Sequence, residues 1–408
     1  MTLLIQKQNI DFKKYLSYVL IAYAFSFPIS KALTNLFEIL AILLWIGEGN
    51  WKAKLELYRS NLLNIAIISL ITFSLLSILW HGNVGTTLHY VAKYRHLLII
   101  FVFYSSFDTK YTSHVLSAFL ASMFISELMS YGIFFNLIHY KNISPSDPTP
   151  FMSHMTYSTV LAFAVTLLLV RLYYETKLHY KFIYALFFLT ATTNLFINGG
   201  KTGQIIFILL ILLTTIYTTK NKLKAIFFSA FIIVLTFSLA YTFSPNFQRR
   251  TSQLYNGIIQ MVQHNNYNDV GGRRVALSLI GLETINHNLL LGTGVSYHMP
   301  NAQQYAKKHD IKLNNLKGYS DYHNTFITIS AQLGLGGIFI SLLIIYALFT
   351  LKIVQKEYKL LSLLFATAFV VFSFTHNTLH TMNPMIFFAL FAGLFSALSR
   401  YKEGIKDE

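Results

Sequence analysis

Long apolar runs, separated by short polar segments, recur along nearly the whole chain. Crossing about 30 Å of hydrocarbon takes roughly 20 helical residues, so runs of this length are typical of transmembrane helices. The runs are residues 15–29, 32–47, 61–80, 96–107, 114–138, 154–174, 181–198, 202–219, 224–243, 323–351, 359–379 and 383–399. The pattern therefore predicts an all-α polytopic membrane protein with about twelve transmembrane helices. Because the first two runs and the fourth are short or interrupted, ten or eleven helices remain alternatives.

One polar stretch is much longer than the others. Residues 244–322 lie between the ninth and tenth predicted helices, and we interpret them as a loop subdomain of a single membrane domain, residues 1–408. Two glycines in this loop precede a predicted helix from Arg273 to about Ile285. Its predicted apolar face consists of Val275, Leu277, Leu279, Ile280 and Leu282.

Composition and charge agree with a membrane protein. Hydrophobic residues make up 54% of the chain and charged residues 12%, unlike a soluble globular domain. With no cysteine, disulfides, thiolate metal sites and cysteine nucleophiles are excluded. The first fourteen residues lack the apolar core and cleavage site of a secretory signal, so the first helix is expected to stay in place.

The distribution of basic residues predicts the orientation. If both termini are cytoplasmic, inside segments hold nineteen of the thirty-two Lys and Arg residues, short outside loops hold five and the long loop holds eight. Long loops cross the membrane largely regardless of their charge. The bias therefore predicts a periplasmic 244–322 loop, and it explains most of the +16 net charge as membrane topology rather than nucleic-acid binding.

A histidine lies where the long loop meets the next apolar run. His323 and Asn324 are followed by Gly334 and Gly337. The loop also contains two tandem arginine pairs, at residues 249–250 and 273–274. An imidazole that titrates near neutral pH is a candidate base, and paired arginines are a candidate anion clamp. Together they favour chemistry on a membrane-bound phosphorylated substrate.

Three motifs resemble the O-antigen ligase and polymerase superfamily of bacterial envelope assembly. They are Gly272-Arg273-Arg274 leading into a helix, Leu-Gly-Thr-Gly at residues 291–294, and the His-Asn-x9-Gly-x2-Gly spacing that begins at His323. The last is similar to the signature of the ligases (WaaL-type). The resemblance implies an inverting, metal-independent glycosyltransferase of the multi-helix GT-C type, without a cofactor, in the bacterial inner membrane. It would transfer a glycan from undecaprenyl diphosphate to a lipid A-core sugar at the periplasmic face.

The residue types suit that reaction. His323 is the candidate base for the acceptor hydroxyl, and Asn324 is expected to orient the imidazole or cap the following helix. The departing diphosphate needs fixed cations or a metal, and the outer loop has no closely spaced acidic pair of the D-x-D kind. Arginine binds phosphate bidentately, so Arg274 is the candidate clamp and Arg273 the second choice. Gly334 and Gly337 are expected to let a neighbouring helix approach closely.

One position departs from the superfamily pattern, which has an arginine at the start of a middle helix. Lys201 occupies that place, within Asn-Gly-Gly-Lys-Thr-Gly at residues 198–203. Lysine keeps a point charge for phosphate but loses the planar fork. The stretch is not a Walker A loop, because Leu195 stands where that motif requires glycine.

Other charged and polar residues admit more than one interpretation. Lys93 and Arg95 either add phosphate contacts or anchor the chain at lipid head groups. His376 and His380 are interpreted as histidines at the membrane interface rather than as a metal pair. Glu38 and Glu127 lie in apolar runs and have no role in this scheme.

Three other functions remain alternatives to the ligase. An O-antigen polymerase of the same superfamily would use similar parts, as would a relative that glycosylates proteins. A polysaccharide transporter or flippase would show more charged residues within the bilayer or broken helices in matched halves. The expected partners are the undecaprenyl-diphosphate-linked glycan, the lipid A-core acceptor and membrane lipids.

Overall fold

The structure, a computed structural model, describes residues 11–81, 83–297, 299–300 and 302–400. Of these described ranges, 78% is helical and none forms a strand. One isolated bridge joins Asn266 and Lys312. The all-α prediction is confirmed.

The described residues form eighteen α-helices. They are α1 (Phe12–Ser26), α2 (Lys31–Glu48), α3 (Trp51–Arg59), α4 (Leu62–Leu76), α5 (Ile78–His81), α6 (Val84–Ala92), α7 (Leu98–Ser106), α8 (Thr112–Phe134), α9 (His154–Tyr174), α10 (Leu178–Ile197), α11 (Lys201–Thr218), α12 (Lys222–Phe243), α13 (Pro245–His264), α14 (Val270–His287), α15 (Ala302–Lys308), α16 (Thr325–Phe349), α17 (Lys356–Thr375) and α18 (Met382–Ser399).

Nine helical segments in the described ranges are long and apolar enough to cross a membrane. They include α8 to α12 and α16 to α18, together with α4 and its continuation to Trp80. Helices α2 and α3 meet at 110° and make a tenth if the bent pair is one span. The α1 helix has 15 residues and α7 has nine, fewer than a straight crossing requires. The protein is therefore a multi-pass membrane protein, and the count of twelve stays a prediction.

Contacts near the helix ends show which connections lie together. At one end, Arg400 donates to the carbonyls of Ser105 and Phe107, and the backbone N–H of Asp108 donates to Ser17 near the start of α1. Both described ends of the chain therefore lie at this same end. At the opposite end, the side chain of Asn324 donates to the carbonyl of Phe374. The side of the membrane that each end faces stays a prediction.

The long loop supplies a folded region with its own apolar cluster. In α14 the buried side chains are Ala276, Leu277 and Ile280, which contribute to the cluster with Tyr322. The predicted apolar face was partly wrong, because Val275, Leu279 and Leu282 are 36–50% exposed. Leu277 and Ile280 belong to the predicted face and are buried, whereas the buried Ala276 was not part of it.

The orientation can be tested with single cysteines, since the chain has none. We expect Gln303→Cys in the long loop to react with an impermeant maleimide in cells with a permeabilised outer membrane. Lys220→Cys, in the exposed turn between α11 and α12, should react only after the inner membrane is broken. Labelling of Lys220→Cys in intact inner membranes, with protection of Gln303→Cys, would invert the topology.

Candidate functional site

A cationic pocket lies where the starts of α9 and α11 meet the loop helices α13 and α14. It is lined by His154, Met155, Gly199, Lys201, Thr202, Arg250, Gln253, Asp269 and Arg274. Lys201 is the first residue of α11, and Arg274 lies in the second turn of α14. The fold thus brings together two residues that lie 73 positions apart. Three cationic side chains face one carboxylate, that of Asp269, which also caps α14 by accepting from the N–H of Gly271.

In the described part of the chain, the arginines of this region are not held in salt bridges. Arg274 donates from Nη2 to the sulfur of Met155 at 2.7 Å. The Nε atoms of Arg250 and Arg273 are buried and make no hydrogen bond. Among the described residues, none of the three arginines forms a salt bridge. Leaving buried charge unpaired is costly, and the arrangement is therefore typical of a site that receives an anion.

The pKa of Arg274 also indicates a site that receives an anion. Burial lowers the pKa of its guanidinium, and the neighbouring charge of Arg273 lowers it further. Arginine nevertheless stays protonated in proteins. A diphosphate would relieve both effects, because its oxygens would replace the lost water and offset the positive charge.

His323 lies beside the cationic pocket, in the turn that precedes α16. Its Nδ1 is 3.4 Å from Oδ1 of Asp321, and the same carboxylate oxygen accepts from the backbone N–H of His323 at 2.7 Å. The ring of Tyr319 meets the imidazole edge-on, with centroids 5.7 Å apart. Asp321 thus favours the tautomer that carries its proton on Nδ1, which leaves Nε2 free to accept one.

The surroundings of His323 keep it neutral near pH 7. Burial lowers the pKa of the imidazole, and the positive charges of Arg274 and Arg273 lower it further, whereas Asp321 raises it. The net direction is below the ordinary value of 6.5. Contacts place the candidate base near the candidate clamp. Thr202 of the cationic pocket contacts Thr375 at 3.3 Å, and the ring of the next residue, His376, lies 6.4 Å from that of His323.

Asn324 and Gly334 shape the helix that follows His323. The side chain of Asn324 accepts from the N–H of Ile327 and so caps α16. Helix capping was one of the two roles predicted for this residue. Gly334 breaks α16 with a φ of +59°, a backbone conformation that favours glycine. A Cβ on Gly334 would lie 2.6 Å from the carbonyl oxygens of Leu289 and Leu290. A loop, not a neighbouring helix, therefore requires this glycine, and the prediction of a close helix was wrong.

Gly337 also has a different neighbour from the one predicted. A Cβ there would lie 2.3 Å from the carbonyl oxygen of Ile329, in the part of α16 before the break. The break at Gly334 turns the helix back toward its own preceding turn. Residues 291–294 pair with this break, since the N–H groups of Thr293 and Gly294 donate to the carbonyls of Ala331 and Gln332. The motifs at 291–294 and 334–337 thus form one structural unit.

Lys93 and Arg95 do not line the cationic pocket. Arg95 donates to Asn35 at 3.2 Å and lies 3.5 Å from the carboxylate of Glu38, which also contacts the buried His96 at 2.5 Å. These contacts explain why a carboxylate is present in an apolar run: Glu38 connects α2 to the segment before α7. No described contact ties Lys93 to the pocket. Glu127 is buried with an unpaired Oε2, and we have no account of it.

Several residues of the site were not among the predicted ones, and three of them bear on the chemistry most directly. Arg250 belongs to a tandem pair visible in the sequence, but only the fold shows that it, rather than Arg249, contacts Gly199 and lines the pocket. Asp321 lies two residues before His323, and its carboxylate contacts both the backbone and the ring of that histidine. His376 was interpreted as an interface histidine, yet its ring stacks near that of His323, with centroids 6.4 Å apart.

Comparison with known proteins agrees with this geometry. No curated protein matches the chain. Residues 185–342 match the family model described as O-antigen ligase. This segment includes Lys201, Arg250, Arg274 and His323, the residues that the fold collects around the site. Residues 185–342 are therefore similar to the O-antigen ligase family.

Proposed function

We propose that the protein is an O-antigen ligase of the bacterial inner membrane. It transfers a glycan from undecaprenyl diphosphate to a sugar of the lipid A-core at the periplasmic face, in lipopolysaccharide biosynthesis. The observation that carries this proposal is the position of His323 beside a pocket lined by three cationic side chains, those of Lys201, Arg250 and Arg274. An anion site beside a base is what glycosyl transfer from a diphosphate requires.

The proposed reaction is one displacement. The acceptor hydroxyl attacks the anomeric carbon of the donor glycan while Nε2 of His323 takes the hydroxyl proton. A new carbon–oxygen bond forms, the bond from the anomeric carbon to the diphosphate oxygen breaks, and the electron pair leaves on undecaprenyl diphosphate. Arg274 and Lys201 stabilise the developing negative charge, with Arg250 and Arg273 beside them. Attack opposite the leaving group inverts the anomeric configuration.

In this scheme fixed cations replace a metal ion at the leaving group. Purified protein should therefore keep its transfer activity in EDTA, because arginine and lysine charges do not depend on divalent ions. The measurement is glycan transfer before and after chelation, followed by readdition of magnesium or manganese. Loss of activity on chelation, restored by either metal, would reject the metal-independent scheme.

Lys201 is proposed to contact the diphosphate as a point charge. Lys201→Arg should retain activity, because it restores the planar fork usual at this position. Lys201→Ala should lower kcat/KM about tenfold to a hundredfold, the cost of one charged contact. Lys222→Ala, at the start of α12 and the opposite end of the bundle, is the matched control. If Lys201→Ala were as active as the wild type, the lysine would be an interfacial anchor only.

The ligase proposal is tested in cells. A strain that lacks the gene should accumulate lipopolysaccharide without attached O-antigen, together with intact lipid-linked glycan. Expression of the wild-type protein should restore the attachment, and expression of the His323→Ala variant should not. Normal attachment in the deletion strain would remove the proposed function.

A further inference from the structure

His376 follows the last residue of α17 and lies at the same end of the bundle as His323. Its carbonyl oxygen accepts from Oγ1 of Thr325, in the first turn of α16, at 2.8 Å. The adjacent Thr375 contacts Thr202 at 3.3 Å, next to Lys201 in the cationic pocket. His376 is thus held by the three helices α11, α16 and α17, between the base and the diphosphate pocket.

The imidazole of His376 lies in a stack of three rings. Phe372 packs at a centroid distance of 5.4 Å and His323 at 6.4 Å, with interplanar angles of 23° and 22°. Its Nδ1 is buried and has no hydrogen-bond partner. A buried polar atom without a partner is rare in native proteins and indicates a water or ligand that completes it.

The charges around His376 agree with a place inside the site. Burial lowers its pKa to about 4, Asp321 opposes this effect, and His323 and Arg274 add to it. The ring is therefore uncharged near pH 7. An uncharged imidazole both donates and accepts one hydrogen bond, which suits a sugar hydroxyl better than a phosphate.

We infer that His323 and His376 together form the acceptor-sugar subsite, in which His323 takes the proton of the attacking hydroxyl and His376 binds a hydroxyl on the neighbouring carbon. Imidazole nitrogens form hydrogen bonds in the plane of the ring, so each ring would bind its hydroxyl at its edge and not in the space between the two faces. The inference rests on the proposed function. It holds whether the acceptor sugar belongs to the lipid A-core or to a lipid-linked glycan. His376 is a positioning residue that distinguishes an acceptor sugar with two adjacent hydroxyls from one with a single hydroxyl.

The test is steady-state kinetics of the purified full-length protein with lipid A-core as the varied acceptor and undecaprenyl-diphosphate glycan as the donor. His376→Leu should raise the KM for lipid A-core about tenfold, the value of one hydrogen bond, with little change in kcat or in the KM for the donor. His376→Gln keeps a polar group at this position and should recover much of that loss. His380→Leu is the control, because the ring of His380 stacks on Tyr90 and not on His323.

The outcomes separate this inference from the proposed function. An unchanged KM for lipid A-core in His376→Leu, or an equal rise for donor and acceptor, overturns the inference. A loss of kcat alone also overturns it, because that result assigns His376 to the chemical step. If His376→Leu does not fold, as judged by thermal melting, the KM of His376→Gln for lipid A-core becomes the test. A value above that of the wild type supports the inference, and an unchanged value overturns it. Failure of the wild type itself to transfer glycan would reject the proposed function instead.

Discussion

Replacement of His323 by alanine is expected to lower kcat for glycan transfer by about 10² to 10⁴, the usual contribution of a positioned general base. Alanine removes the proposed base, which lies beside Asp321, while leaving the cationic pocket intact. Donor binding should therefore be nearly unchanged. The measurement is single-turnover transfer, with binding of undecaprenyl diphosphate measured separately.

A matched control is His287→Ala. His287 is exposed at the end of α14 and pairs with Glu283 at 3.2 Å, away from the site. It should transfer glycan like the wild type. If His323→Ala were well expressed and as active as His287→Ala, His323 would have no part in the chemistry.

The pH dependence follows from the same environment. A base must be neutral to accept a proton, so kcat/KM should fall as the pH drops through the pKa of His323, which lies below 6.5. Asp321 raises that pKa, so Asp321→Asn should move the acid limb to still lower pH while slowing transfer through poorer orientation of the ring. An acid limb that stays in place in Asp321→Asn would show that another group sets the profile.

Replacement of Arg274 by alanine is the second large expected effect, about 10² to 10³ in kcat. This is the usual cost of removing one donor that stabilises developing charge. The guanidinium is half-buried, lies in the pocket with Lys201 and has only the Met155 sulfur as a partner, so its hydrogen-bonding capacity is free for a diphosphate. Arg274→Lys should recover part of the loss, because it restores the charge without the fork.

The control for Arg274 is Arg249→Ala. Arg249 is exposed and contacts Asn246 at 3.4 Å, and it does not line the pocket. Both variants lose one positive charge from the same loop, so a difference between them reports position rather than net charge. Equal activities of the two variants would remove Arg274 from the leaving-group site.

The sequence predicted the helices that are long and uniformly apolar, because such runs have one stable form in a bilayer. The sequence predicted less well the features that depend on contacts between distant segments. The runs at 32–47 and 96–107 look short in the sequence, but the 110° bend between α2 and α3 and the nine-residue length of α7 depend on the fold. Gly334 was visible as a motif, but its φ of +59° and its contact with the loop at Leu289 arise only when distant segments meet.

Candidate site residues were predictable where a single segment of the sequence shows an unusual pattern. His323 and Arg274 stand out because a titratable ring and tandem arginines are unusual at a membrane boundary. His376 gave no such signal, since a histidine at the end of an apolar helix is equally suited to the membrane interface. Its proximity to His323 depends on α16 and α17 meeting through Thr325. The sequence also could not distinguish Arg250 from Arg249 as the site residue, because that choice depends on which face of α13 meets Gly199.

The most direct test of the account is a reconstituted reaction. Purified protein is mixed with undecaprenyl-diphosphate glycan, with and without lipid A-core, and the products are separated by size. The account predicts glycan-modified lipid A-core and released undecaprenyl diphosphate, with no lengthening of the lipid-linked glycan when lipid A-core is omitted. A ladder of longer lipid-linked chains from the donor alone, with lipid A-core left unmodified, would contradict the ligase proposal and establish a polymerase.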